Sequence, residues 1–150
     1  MKHDRRHILK TTGAMATLLS LGVVTTEEAQ AAGRAGFDAR SLDDALRAIG
    51  GRPAASQQVS IVAPDIAEDG AIVQIGAVSR LPNTTDMYFL VEKNPWPLSA
   101  VFRIPPGTEP DVQTRFKMGQ SSDVYVVVRA DGKLYSAKKE TRVTLGGCGG

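Results

Sequence analysis

The sequence predicts a mainly β protein, folded as an antiparallel sandwich, and two observations carry that prediction. From Gln57 onward the chain breaks into short apolar runs bounded by proline, glycine, asparagine and aspartate, the punctuation of strands and turns. Only one stretch, Ser41 to Ile49, carries a helical period instead. Seven or eight strands within about 90 residues bury their apolar faces by packing sheet on sheet.

The helix comes first. Ser41-Leu42-Asp43-Asp44 has the form of a capped start, Leu42, Ala45, Leu46 and Ile49 follow at i, i+3, i+4 and i+7, and Gly50-Gly51 supplies a stop. The strands predicted after it are Gln57 to Ala63, Ala71 to Ser79, Asp86 to Lys93, Ser99 to Ile104, Val112 to Met118, Asp123 to Ala130, Lys133 to Ala137 and Glu140 to Leu145. Leu98, Ala100, Phe102 and Ile104 alternate with Ser99, Val101 and Arg103, and Val112, Thr114, Phe116 and Met118 with Gln113, Arg115 and Lys117, so each run has one buried and one wetter face. Ala130-Asp131-Gly132-Lys133 reads as a two-residue hairpin, and Asn94-Pro95-Trp96-Pro97 and Pro105-Pro106-Gly107 as loops, because proline cannot donate to a ladder. Two strands are apolar on both sides: Met87, Phe89 and Val91 against Tyr88 and Leu90, and Val124, Val126 and Val128 against Tyr125 and Val127. Such strands need cover on both faces, which predicts a second subunit over part of this surface, with the helix as the alternative cover.

Ahead of the helix, Arg5-Arg6, an apolar run of 11 residues from Ala14 to Val24, and Ala29-Gln30-Ala31 form an export leader of twin-arginine type with cleavage near Ala31. A membrane span needs about 20 residues, so the run is not read as an anchor. The expected organisation is a leader over 1–31, a sandwich domain over 32–145 and a tail over 146–150. The leader holds four of the 18 basic and three of the 16 acidic residues, which leaves 14 against 13 in the processed chain. With that near-neutral balance and no basic run interleaved with aromatics, nucleic acid is not expected as a partner.

Both histidines, His3 and His7, lie in the leader, so the processed chain has none. The most common general base and the most common zinc or copper ligand are therefore absent, and one cysteine makes neither an internal disulfide nor a familiar metal site. No phosphate loop, calcium loop or G-x-S-x-G is present, and neither a metal nor another cofactor is expected. Ser121-Ser122-Asp123 and Glu68-Asp69-Gly70 read as turn residues, Lys138-Lys139 as a solvated face, and Trp96 equally as a binding platform or a rim residue.

The chemistry that remains is in the tail. Cys148, the only cysteine, stands in Gly146-Gly147-Cys148-Gly149-Gly150 directly after the last strand, where nothing that follows has a side chain to cover it. Glycines on both sides leave the backbone free, so the segment reads as a flexible tether. Three residues beyond Leu145, the thiol has a reach of roughly 10 Å, enough to enter a narrow site on another protein. It also lies two residues from the C-terminal carboxylate, whereas a catalytic thiolate needs nearby cations or a helix N-terminus.

Beyond the tail, the chain resembles the SoxY family, the sulfur-carrier subunits of the periplasmic thiosulfate-oxidising Sox system. The resemblance runs through most of the processed chain, in Ala63-Pro64-Asp65-Ile66-Ala67-Glu68-Asp69-Gly70, Glu92-Lys93-Asn94-Pro95-Trp96-Pro97, Arg115-Phe116-Lys117-Met118, Ala130-Asp131-Gly132-Lys133 and the terminal Gly146-Gly147-Cys148-Gly149-Gly150. Gln74 departs from it, at a strand edge where many relatives carry proline. The resemblance implies an immunoglobulin-like sandwich in the periplasm that does no catalysis of its own and carries sulfur intermediates on Cys148. It implies a heterodimer with a SoxZ-like β subunit. It also implies a c-type haem enzyme that loads thiosulfate, a manganese hydrolase that releases sulfate and, in some organisms, a molybdenum sulfane dehydrogenase. The residues leave two other readings open: a ubiquitin-like carrier whose Gly149-Gly150 end becomes a thiocarboxylate, which the export leader opposes, and a binding module in which Cys148 forms an interchain disulfide.

Overall fold

The computed structural model describes Arg34 and residues 36–144, all within the second of two compact units, Ala32–Gly150; the first unit, Met1–Ala31, and the residues from 145 onward lie outside the described residues. The helix α1 (Leu42–Ile49) begins as its sequence predicts: Ser41 Oγ accepts the Asp44 N–H at 3.1 Å and donates to Asp44 Oδ2 at 2.7 Å. It stops at Gly50, whose φ of 126° lies in a region that side chains disfavour.

Among the described residues nine strands follow: β1 (Ala54–Ala55), β2 (Val59–Val62), β3 (Ile66–Ala67), β4 (Val73–Ser79), β5 (Thr84–Val91), β6 (Leu98–Arg103), β7 (Asp111–Phe116), β8 (Ser122–Ala130) and β9 (Lys133–Val143). They form a larger sheet in the order β1-β9-β8-β5-β6, with β3 also on β9, and a smaller sheet β2-β4-β7. The architecture is the predicted mainly β, immunoglobulin-like sandwich, with one addition. The bridges β1–β9 and β3–β9 are parallel, and both run along the outer edge of β9.

Two predicted strands, Lys133 to Ala137 and Glu140 to Leu145, are one continuous β9 that pairs with β8 from Ala130↔Lys133 to Ser122↔Thr141. The break expected at Lys138-Lys139 does not occur because the two lysines serve opposite sides of the strand. Lys138 stays exposed and meets Asp123 Oδ2 at 3.1 Å, whereas Lys139 donates to Ala63 O at 2.6 Å and meets Asp65 at 3.0 Å. Lys139 is thus a brace between segments rather than part of a solvated face. The hairpin at Asp131-Gly132 forms as predicted, with φ of 49° and 73°. Gln74 pairs with Arg115 of β7, but β2 reaches only as far as Gly76, so Gln74 does lie where one side of its strand is unpaired.

The main core lies between the sheets. Phe89 is fully buried there, with its ring centroid 5.5 Å from those of Phe102 and Phe116, among Ile75, Met87, Val124, Val126 and Val128. A second core lies on the opposite face of the larger sheet, where Ala45, Leu46 and Ile49 of α1 cover Tyr88, Leu90, Leu98 and Val127. Of the apolar residues that predicted a covering subunit, Met87, Phe89, Val91, Val124, Val126 and Val128 are buried between the sheets and Tyr88, Leu90 and Val127 under the helix, while Tyr125 stays partly exposed. Leu98 joins this second core, not the face shared by Ala100 and Phe102. Phe89 pairs with Ala100 and Leu90 with Leu98, which leaves Ser99 as the extra residue of a bulge and turns Leu98 to the helix side.

One side chain ties the helix to the sheet. Arg129 Nη2 donates to Ile49 O at the end of α1, Arg129 Nε and Nη2 both donate to Tyr88 Oη at 3.3 Å, and Asp86 stands 3.6 Å away. Truncation removes a charged donor from a half-buried carbonyl, so Arg129→Ala is expected to cost about 1–3 kcal/mol. The urea midpoint should fall accordingly, and Arg129→Lys should recover only part of it because an ammonium cannot span both acceptors.

Candidate functional site: the root of the C-terminal arm

The predicted site residues, Gly146, Gly147, Cys148, Gly149 and Gly150, lie outside the described residues, but the point from which they depart is well defined. On one edge of β9, Val143 N–H donates to Ser121 Oγ at 2.9 Å, from the loop that leads into β8. On the other edge Arg142 N–H donates to Asp65 O at 2.9 Å, and Thr144 N–H to Ala67 O at 3.1 Å. Thr141, fully buried, donates from Oγ1 to Pro64 O at 3.0 Å, and Thr144 Oγ1 donates to Glu68 O at 3.0 Å. The strand is held from both sides up to Thr144. Measured from that anchored residue, four positions separate the root from Cys148, a span of roughly 13–14 Å at full extension.

The neighbouring loops are fastened to the same end. Asn94 Nδ2 donates to Lys117 O at 2.7 Å while Asn94 Oδ1 accepts the Gly119 N–H at 3.2 Å, and Lys93 N–H donates to Ser122 Oγ at 3.0 Å. Met118 N–H donates to Gly70 O at 2.7 Å. The β5–β6 loop, the β7–β8 loop and the segment after β3 thereby form one hydrogen-bonded platform around Thr144. The turn reading holds for Ser121 and Asp69, whose side chains satisfy backbone N–H groups, but not for Ser122 and Asp123, which open β8 and pair with Thr141 and Glu140, because the register with β9 extends the strand to them. Sequence reasoning did not assign Asn94 or Thr144 to this platform. Their partners lie 23 to 25 and 76 residues away in sequence, and no local pattern signals such a bond. Trp96 stands on the platform's loop, about half exposed, with the Arg40 guanidinium 4.4 Å from its ring centroid.

The three cations that precede the tail are already engaged. Arg142 faces Glu140 at 3.8 Å, Lys138 faces Asp123, and Lys139 faces Asp65. Lys138 is held above the usual lysine value, chiefly by its hydrogen bond to Asp123. The Tyr125 phenol is raised by burial and then by the charge of Glu92. Among the described residues no three His, Cys, Asp or Glu side chains group in a way that could hold a metal ion. The geometry at this end is that of a fixed base for a short tail.

Residues 46–148 match the family model described as "Sulfur oxidation protein SoxY". Among solved structures, the chain is similar to the sulfur carrier protein SoxY from Chlorobium limicola f thiosulfatophilum, at 36% identity and a TM-score of 0.63, over 70% of this chain and 97% of that one. It is also similar in fold to a superoxide reductase (neelaredoxin) from Ignicoccus hospitalis, at 21% identity and a TM-score of 0.52, over 58% of this chain and 80% of that one. No curated protein matches the sequence.

Proposed function

The chain belongs to the SoxY family of sulfur oxidation proteins, and from that premise we propose that it is a sulfur carrier that holds its substrate covalently on Cys148 while other enzymes act on it. The observation that carries this reading is the junction of a root pinned on both edges up to Thr144 with a Gly146-Gly147-Cys148-Gly149-Gly150 tail, within a family match that runs to Cys148. A fixed base and a narrow tail present one thiol to several pockets in turn and keep reactive intermediates at a high local concentration.

Loading joins the Cys148 sulfur to the sulfane sulfur of thiosulfate. The thiol loses one proton, two electrons pass to the c-type haem enzyme, and a cysteine S-thiosulfonate remains. A manganese hydrolase then adds water across the terminal S–S bond, which releases sulfate and leaves a persulfide on Cys148. In organisms that have one, a molybdenum sulfane dehydrogenase oxidises that sulfur further. On this reading the carrier contributes no catalytic group and activation of the thiol falls to the enzyme that receives it, which the pairing of Arg142, Lys138 and Lys139 with carboxylates supports. The reading places the protein in the periplasm after removal of residues 1–31 by the twin-arginine route, as a heterodimer with a SoxZ-like β subunit. The sulfur on Cys148 takes the place of a cofactor.

The mass of the C-terminal tryptic peptide, Val143 to Gly150, tests this on protein isolated from its native periplasm. Sulfur adducts on the thiol are expected. Adducts on the terminal carboxylate would show a ubiquitin-like carrier instead, and a disulfide to another peptide a cross-linked binding module. The tail makes a further prediction. Gly147→Val and Gly149→Val restrict and widen it, so transfer through the partner enzymes should fall by about tenfold or more, the size of effect a misplaced reacting group produces. Alkylation of the same thiol by iodoacetamide should stay within about twofold, since a small reagent needs no narrow entry. Equal losses in both assays would mean that the glycines tune the thiol itself.

A further inference from the structure

We propose that Trp96 and Arg40 form a docking anchor for the enzymes that receive the tail, with the indole filling an apolar notch on the enzyme and the guanidinium meeting a carboxylate at the rim of that notch. This rests on the carrier reading and names the surface through which that site meets its partners.

The argument begins with length. From Thr144 the thiol reaches no further than roughly 13–14 Å, so any enzyme whose pocket takes Cys148 must bring its own surface over this end of the sandwich. In the larger sheet β9 is separated from β5 by one strand and from β6 by two. At about 4.8 Å per strand, the β5–β6 loop that carries Trp96 lies roughly 10–14 Å from the root. The enzyme footprint therefore includes it.

What stands there is suited to contact. Of the five large apolar side chains exposed among the described residues, three belong to this end: Trp96 on one side of the root, and Ile66 and Ile72, 59% and 63% exposed, on the other. Trp96 sits between Pro95 and Pro97 in a loop held by Asn94 and by the Val91 N–H bond to Pro97 O at 2.8 Å. An aromatic side chain on so constrained a loop loses little freedom when it is buried by a partner. Arg40 lies over the indole and, like most arginines among the described residues, forms no ion pair; what sets it apart is its place on the ring of Trp96. Its guanidinium donors are left for an acidic group on the other protein, and tryptophan and arginine are both, with tyrosine, enriched among the few residues that dominate an interface.

The experiment measures thiosulfate loading of the native heterodimer by its c-type haem enzyme, as kcat and as KM for the carrier, alongside iodoacetamide alkylation of Cys148. Trp96→Ala is expected to raise KM by about 10- to 30-fold, the range of an interface hot spot. Its kcat and alkylation rate should stay within about twofold. Arg40→Glu, a reversal at an exposed position, should also raise KM, and it decides the matter should Trp96→Ala fail to fold. Wild-type KM in both variants overturns the anchor and leaves the carrier reading standing, as does a loss of alkylation equal to the loss of loading. A wild-type protein that alkylates normally but is never loaded overturns the carrier reading and the anchor with it.

Discussion

Cys148→Ser is expected to abolish thiosulfate-dependent turnover in a reconstituted system and to leave the unfolding transition where it is. A serine hydroxyl forms no S–S linkage, so neither the S-thiosulfonate nor the persulfide can exist on the variant, and the loss should be complete rather than partial. Stability should not respond. The last strand is satisfied up to Thr144 by Ser121, Ala67 and Glu68. The paired measurement is oxygen or cytochrome reduction with thiosulfate for activity, and a urea midpoint for the fold. Turnover by the serine variant would sink the carrier proposal, and a lowered midpoint would show that the cysteine is structural.

Phe89→Ala is expected to have the largest effect on stability. The ring is fully buried at the centre of the main core, edge-on to Phe102 and tilted against Phe116, with both centroids at 5.5 Å. Its removal loses the transfer free energy of the side chain and leaves a cavity that paired strands on either side, β6 and β8, cannot collapse to fill. The cost should be about 3–5 kcal/mol, a large share of the roughly 5–15 kcal/mol that holds a domain together. Phe89→Leu should recover much of it. A midpoint shift of less than about 1 kcal/mol for the alanine variant would mean that the two sheets pack less closely than the ring geometry indicates.

Much of the fold was legible along the chain because its signals are local. A capping serine, a 3.6-residue apolar period and a glycine stop are properties of ten consecutive residues, and α1 begins and ends where they lie. The same holds for the Asp131-Gly132 turn, whose positive φ values only a few residues tolerate. The errors share a cause as well. Leu98 has the right alternation for the face of Ala100 and Phe102, yet the bulge at Ser99 depends on which residues of β5 lie opposite. Lys138-Lys139 looks like a break in β9 until Asp123, Ala63 and Asp65 are brought beside it.

The function divides along the same line. The chain alone has a single cysteine, Cys148, and no histidine after His7, and it shows the family by a match spread over residues 46–148. These are facts of composition and order, and folding does not alter them. Sequence had no means of showing that β1 and β3 line the outer edge of β9, that Thr144 is pinned to Ala67 and Glu68, or that α1 covers Tyr88, Leu90 and Val127. Each of these rests on hydrogen bonds or contacts between segments dozens of residues apart. Such partners are chosen by the register of the sheets and by the demand that buried polar groups be paired, and neither is written in any single stretch of the chain.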